Sequence, residues 1–157
     1  MKRDKNLETL SWEHHDALVS ASRLKRGVEK KADVSHMRDF LLYVWENDLP
    51  HHFDQEEQSI IKAVQGKEGS QALVERVLAE HQRFAALAKE VVEEQGDMMA
   101  KIEEFAILLN AHVRFEEREF FPFVEENLSR EELAEVGVYL RDEHVPSCKT
   151  WDPEFWK

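Results

Sequence analysis

Apolar residues recur along this chain at alternating spacings of three and four, the pattern of helices that each bury one face. A first helix is predicted over about 7–31, with Leu7, Leu10, His14, Ala17, Ala21 and Leu24 on one stripe. Thr9 or Ser11 is placed to cap its start, and Gly27 with the run Glu29-Lys30-Lys31 marks its end. A second is predicted over about 34–64, with Asp33 or Ser35 as N-cap. Its stripe is Met37, Leu41, Trp45, Leu49, His52, Glu56, Ile60 and Ala63. Pro50 falls inside it, but the period continues across the proline, so one kinked helix is expected rather than two. After a glycine-rich turn at 65–69, a third helix over about 70–94 aligns Val74, Val77, His81, Phe84, Ala88 and Val91. A turn at 95–97 leads to a fourth over about 98–126, with Ile102, Phe105, Leu109, His112, Glu116, Phe120 and Phe123 inward and Pro122 near its end. Ser129 followed by Glu132 has the form of a capping box and opens a shorter fifth helix to about 143. The segment 145–157 carries Pro146, Trp151, Pro153, Phe155 and Trp156, and is expected to be an extended tail whose aromatics pack back on the helices.

Four long helices joined by short turns predict an all-α fold, an antiparallel up-down-up-down four-helix bundle with a short fifth helix. The 157 residues suit one domain, 1–157, with its core at about 7–126. Five glycines and four prolines are few, in keeping with helix. The formal net charge of −12 disfavours nucleic acid and anionic membranes as partners. No apolar run reaches the roughly 20 residues of a membrane span, and the charged start Met1-Lys2-Arg3-Asp4-Lys5 does not read as a signal peptide. Cys148 is the only cysteine, which excludes an internal disulfide and zinc-finger or iron–sulfur ligation and makes a cytoplasmic location the simplest expectation.

The eight histidines change the picture through their placement. Each long stripe carries one near its middle: His14, His52, His81 and His112. Two of these have a glutamate four residues on, His52–Glu56 and His112–Glu116, which puts imidazole and carboxylate on one helical face as a two-toothed clamp. The halves also repeat. Glu13-His14 matches Glu80-His81, and His52 to Glu57 matches His112 to Glu117. Six such groups turned into an apolar interior are costly unless something balances them. A pair of divalent cations does so, with neutral imidazoles and anionic carboxylates as ligands and each glutamate able to reach both ions. His14 continues the first stripe better than its neighbour His15, which is left as an outer residue or a further nitrogen donor. Glu57 and Glu117 rotate away from the clamps and are read as solvated or as outer partners. His51 lacks a glutamate four residues on, and His36 and His144 belong to no repeat. Cys148, between Ser147 and Lys149, is read as a plain free thiol.

These residues resemble the hemerythrin-like, HHE cation-binding domain family. The resemblance runs from about Leu7 to Phe123 and rests on Glu13-His14-His15, His52-xxx-Glu56-Glu57, Glu80-His81 and His112-xxx-Glu116-Glu117 followed by Phe120-Phe121-Pro122. It implies a four-helix bundle holding two iron ions, with His14, His52, His81 and His112 as terminal ligands and Glu56 and Glu116 as bridges. It also implies a small partner: dioxygen, nitric oxide or peroxide. Respiratory hemerythrins carry a further histidine one turn after the third-helix one, where this chain has Ala85, and they place the last carboxylate five residues after its histidine, not four. The departures suit sensing, reduction or peroxide chemistry better than reversible oxygen storage. The other reading is iron handling or iron sensing, in which metal occupancy controls a partner interaction. Manganese or zinc would also accept this ligand set in place of iron. A ferritin-like oxidase is disfavoured, because Leu49, Leu78 and Leu109 stand three before His52, His81 and His112 where that class needs glutamate. No nucleophile elbow, phosphate loop or dinucleotide motif is present.

Overall fold

The helical periods become helices wherever the chain supplies a start and a stop. The computed structural model describes residues 2–143 and 150–157. The regular structure among them is helical: α1 (Glu8–Glu29), α2 (Val34–Asn47), α3 (Leu49–Glu56), α4 (Lys62–Val64), α5 (Gln71–Val92), α6 (Met98–Phe115), α7 (Phe121–Asn127) and α8 (Arg130–Glu143). A π-helical turn, Glu57–Ile61, joins α3 to α4, and a second, Glu116–Phe120, joins α6 to α7. No helix among the described residues is long and apolar enough to cross a membrane.

Asp33 caps α2, accepting from the backbone N–H of Ser35 at 2.8 Å and of His36 at 3.4 Å. Neither Thr9 nor Ser11 caps α1: the helix starts after Leu7 with no side-chain cap, Thr9 is buried, and the Ser11 hydroxyl donates to Glu117 instead. Ser129 and Glu132 form the expected capping box, with Ser129 N–H to Glu132 at 2.9 Å and Glu132 N–H to the Ser129 hydroxyl at 3.1 Å. Replacing Ser129 by alanine should cost about 1 kcal/mol, the usual worth of an N-cap, read as a fall in the urea midpoint without a change in slope.

Two further expectations need correction. The second stripe is two helices, not one kinked helix, because the chain breaks at Asp48. Pro50 then lies in the first turn of α3, where a missing N–H leaves no gap in the hydrogen-bond ladder. In the fourth stripe, Phe121 and not Phe123 is fully buried. The π turn at Glu116–Phe120 carries more residues per turn than an α-helix, so every inward position beyond it shifts along the chain.

The buried apolar residues form two clusters. One gathers Ala21, Leu24, Met37, Leu41, Phe84, Val91, Ile102 and Phe105. The other gathers Leu7, Leu10, Ile60, Val64, Val77, Phe120, Phe121 and Leu140. In α1, His14 separates the Leu10 of one cluster from the Ala21 of the other; in α5, His81 separates Val77 from Phe84. The polar stripe positions therefore occupy a layer with apolar packing above and below it. Trp151 lies 5.3 Å from Phe40, and Phe155 lies 5.4 Å from it, ring centre to ring centre. Gly27 admits that contact: a Cβ there would stand 2.6 Å from Met37 Sδ and 2.7 Å from Phe155. The expectations for His144, Val145, Pro146 and Cys148 lie outside the described residues.

Candidate metal centre

Helix geometry brings the six predicted side chains together. His14 comes from α1, His52 and Glu56 from α3, His81 from α5, His112 from α6, and Glu116 from the start of the second π turn. All six are buried, with both glutamates 0% exposed. They divide into two groups whose candidate ligand atoms lie within 4.8 Å of one another: His14, His52, Glu56 and Glu116, and Glu56, His81, His112 and Glu116. Both groups contain both glutamates. Glu56 Oε1 is 3.2 Å from His81 Nε2, and Glu56 Oε2 is 3.4 Å from His52 Nε2 and 3.7 Å from His14 Nε2. Glu116 Oε1 lies 2.9 Å from His14 Nε2 and 3.2 Å from His112 Nε2.

The inner atoms are those for which the protein offers least. His52, His81 and His112 Nε2, both oxygens of Glu56 and Oε2 of Glu116 are buried without a hydrogen-bond partner. Orphaned atoms of this kind are rare in folded chains and costly. Their concentration around two points, as imidazole and carboxylate, fits divalent cations: each point has four protein donors, and the shared carboxylates offset part of the charge.

The outer atoms are fully engaged. Each imidazole Nδ1 meets a carboxylate: His14 with Glu117 at 2.6 Å, His52 with Glu13 at 2.7 Å, His81 with Glu57 at 2.9 Å and His112 with Glu80 at 2.7 Å. With Nδ1–H donating outward, the Nε2 lone pair is presented to the centre. The pairs obey the sequence repeat. Glu13–His52 corresponds to Glu80–His112, and Glu117–His14 to Glu57–His81. Spacing had left Glu57 and Glu117 between solvent and an outer role, and it assigned Glu13 and Glu80 no contact; the repeat itself was the available clue. Ring packing fixes the imidazole planes further: Phe53 stacks on His81 at 3.9 Å and Phe121 on His14 at 5.0 Å. Gln55, beside Glu56, is fully buried with its amide unpartnered. Its counterpart in the repeat is Phe115, and nothing in the structure explains the difference.

Electrostatics follow from this crowding. Burial pushes the His52 and His112 imidazoles down, but nearby carboxylates outweigh it. The charge of Glu56 and the hydrogen bond to Glu13 raise His52 to about 9. The charge of Glu116, 3.2 Å from Nε2, and the hydrogen bond to Glu80 raise His112 to about 10. His14 is raised well above the usual imidazole range, its hydrogen bonds to Glu116 and Glu117 overcoming burial. Burial raises Glu56, but the charge of His52 and contacts with three imidazoles hold it well below the carboxylate range.

The other described histidines, His15, His36 and His51, stand outside these groups. His15 and His36 are exposed, whereas His14 is buried. His51 donates from Nε2 to the Glu143 carbonyl at 2.6 Å, tying α3 to α8. Ala85 is exposed, so a side chain there faces away from the centre.

No curated protein matches the chain. The family model of the hemerythrin HHE cation binding domain matches it over residues 7–124, a span that contains all six inner side chains and the four carboxylates behind them. By that match and by the paired His/Glu groups able to hold a metal ion, the chain belongs to the hemerythrin HHE cation-binding family.

Proposed function

We propose that this chain is a non-haem di-iron protein that binds or reacts with a small oxidant such as dioxygen, nitric oxide or peroxide. The observation that carries this reading is the pair of buried four-donor groups that share Glu56 and Glu116. His14 and His52 would hold one ion and His81 and His112 the other, with both glutamates reaching each. Mixed imidazole and carboxylate donors suit iron, with manganese and zinc as competitors. Iron supplies one-electron chemistry toward small oxidants.

The chain contributes position and protection. The outer carboxylates hold the Nδ1 side of each imidazole and aim Nε2 inward, and the apolar clusters above and below exclude bulk water. Four protein donors per ion leave room for an exogenous ligand in each half. The arrangement suits an antiparallel bundle: the start of α1, the end of the α3–α4 run, the start of α5 and the end of the α6–α7 run all contribute to one apolar cluster.

The test is the metal content of protein purified without added metal or chelator, followed by anaerobic mixing of the ferrous form with dioxygen, nitric oxide and peroxide. Close to two irons per chain and an absorption change with at least one of them is expected. Two irons with no response to any of the three would favour the iron-sensing reading. A chain that refuses ferrous iron would end both.

A second consequence is proton release. At pH 7, His52 and His112 carry protons, since they titrate near about 9 and about 10. Ligation by Nε2 must displace them, so loading should liberate about two protons per chain or more. Calorimetry in buffers of different ionisation enthalpy measures the number, and loading without release would show that these imidazoles are not ligands.

A further inference from the structure

The two halves share an inner set but differ behind it. Glu117, which backs His14, is held at both oxygens. Its Oε2 accepts from His14 Nδ1 at 2.6 Å and from the Ser11 hydroxyl at 2.8 Å, and its Oε1 accepts from Arg3 at 3.2 Å. Arg3 also donates to the Glu117 carbonyl at 2.8 Å, pairs with Glu125 and lies over the Phe121 ring at 5.3 Å. That same ring stacks on His14. Glu57 is the counterpart in the other half. Among the described residues its side chain meets only His81, and it is 40% exposed against 29% for Glu117. The repeat places Leu78, without a hydroxyl, where Ser11 would be needed.

A carboxylate that fixes a ligand imidazole does so only while it stays in place. Glu57 competes with water for its hydrogen bond to His81, and each excursion leaves that imidazole without its outer hydrogen bond, held by its stacking on Phe53. Glu117 would have to break contacts with Ser11 and Arg3 as well. The Arg3 charge opposes a nearby cation, but Glu117 stands between them and neutralises it, so the gain in position outweighs the repulsion. The other two outer carboxylates narrow this contrast little: Glu13 and Glu80 are similarly covered, at 14% and 17% exposure, and the Arg76 that donates to Glu80 at 3.3 Å is 46% exposed against 19% for Arg3.

From this contrast we infer that the two cation positions are unequal: Arg3 and Ser11, acting through Glu117, make the His14/His52 half hold its ion longer than the His81/His112 half. Arg3 and Ser11 are thus positioning residues, more than one contact removed from the ion. The inference rests on the di-iron reading. It also gives residues 3–11, outside any clamp, a role at the centre.

The test loads the full chain anaerobically with two ferrous ions and mixes it with excess of a coloured ferrous chelator. Release in two phases is expected, with rates about tenfold apart, the lower end of what an outer partner contributes. Arg3→Met, which keeps the stem and removes the charge, should speed the slower phase by about tenfold and leave the faster one unchanged. Ser11→Ala should speed the same phase by less, and Arg3→Lys should restore part of the delay. Glu57→Gln should act only on the faster phase. Melting of the chelated variants separates these effects from general loosening, which would move both phases. Release of both ions at one rate from the parent chain, or Arg3→Met and Ser11→Ala leaving the slower phase unmoved, overturns the inference. A parent chain that never takes up two ions shows itself at the loading step and overturns the proposed function, and this inference with it.

Discussion

Alanine at Glu56 or at Glu116 should empty both halves of the centre at once, not one. Each carboxylate belongs to both four-donor groups, so on the proposed di-iron reading either substitution would remove a ligand from each ion. The larger effect is electrostatic. Two unit charges about 4 Å apart repel by roughly 4 kcal/mol at an effective dielectric of 20, and two dications by about four times that. The two buried carboxylates are the inner groups that offset this repulsion, and neither has another partner strong enough to spare it. Metal content should fall from near two ions per chain to below about one-half, since loss of even a few kcal/mol is a change of 100-fold or more in affinity. Glu56→Gln and Glu116→Gln should behave like the alanine variants, because the amide keeps the shape but not the charge. His36→Ala should retain both ions, its side chain being exposed and far from either clamp in the repeat. Two ions retained by Glu56→Ala or Glu116→Ala, measured by elemental mass spectrometry, would sink the shared-ligand assignment.

Why six side chains could be named before any coordinates is a matter of period. A residue four positions from another lies on the same helical face whatever the surrounding fold, so His52–Glu56 and His112–Glu116 were fixed by local geometry alone. His14 and His81 followed because apolar neighbours three and four positions away identify the inward face. The choice of His14 over His15 rests on the same stripe, and His14 is the buried one of the two.

What period could not supply was anything that depends on a break in it. The π turns at Glu57–Ile61 and Glu116–Phe120 begin at or beside the shared glutamates, and an α-helical template carried past them points the wrong phenylalanine inward. Such turns gather at functional sites because they re-aim side chains at a cost in backbone hydrogen bonding. The break at Asp48 was missed for the converse reason: the stripe on either side of it stays nearly in phase, so the pattern looks continuous while the ladder is not. The pairing of Glu13 with His52 and of Glu117 with His14 joins different helices, and no spacing within one helix encodes which partner a carboxylate will meet.

Removing the metal should destabilise the fold, and more so at pH 9 than at pH 6.5. Ligand held at about 1,000 times its dissociation constant contributes about 4 kcal/mol, and a domain of this size shifts by about 2–4 °C per kcal/mol. Chelation of even one such ion should therefore lower Tm by roughly 8–16 °C. The pH dependence comes from the histidines. In the chelated chain, His52 and His112 titrate near about 9 and about 10, above the unfolded value near 6.5. A raised folded pKa contributes stability that is complete below the unfolded pKa and is lost as pH rises through the folded one. The chelated chain therefore weakens between pH 6.5 and 10, as the imidazolium–carboxylate pairs around Glu56 and Glu116 lose their protons. The loaded chain does not share that loss, because its imidazoles already bind through neutral Nε2. The gap in Tm between loaded and chelated protein should widen steadily across this window. Glu56 runs the other way, its depressed pKa adding stability that is lost only as pH falls below the carboxylate range, outside the window. Differential scanning calorimetry of both forms at pH 6.5, 8 and 9 measures the gap. A gap that stays constant or narrows would mean that protons and cations do not compete for the same nitrogen atoms, and the ligand assignment of His52 and His112 would have to be abandoned.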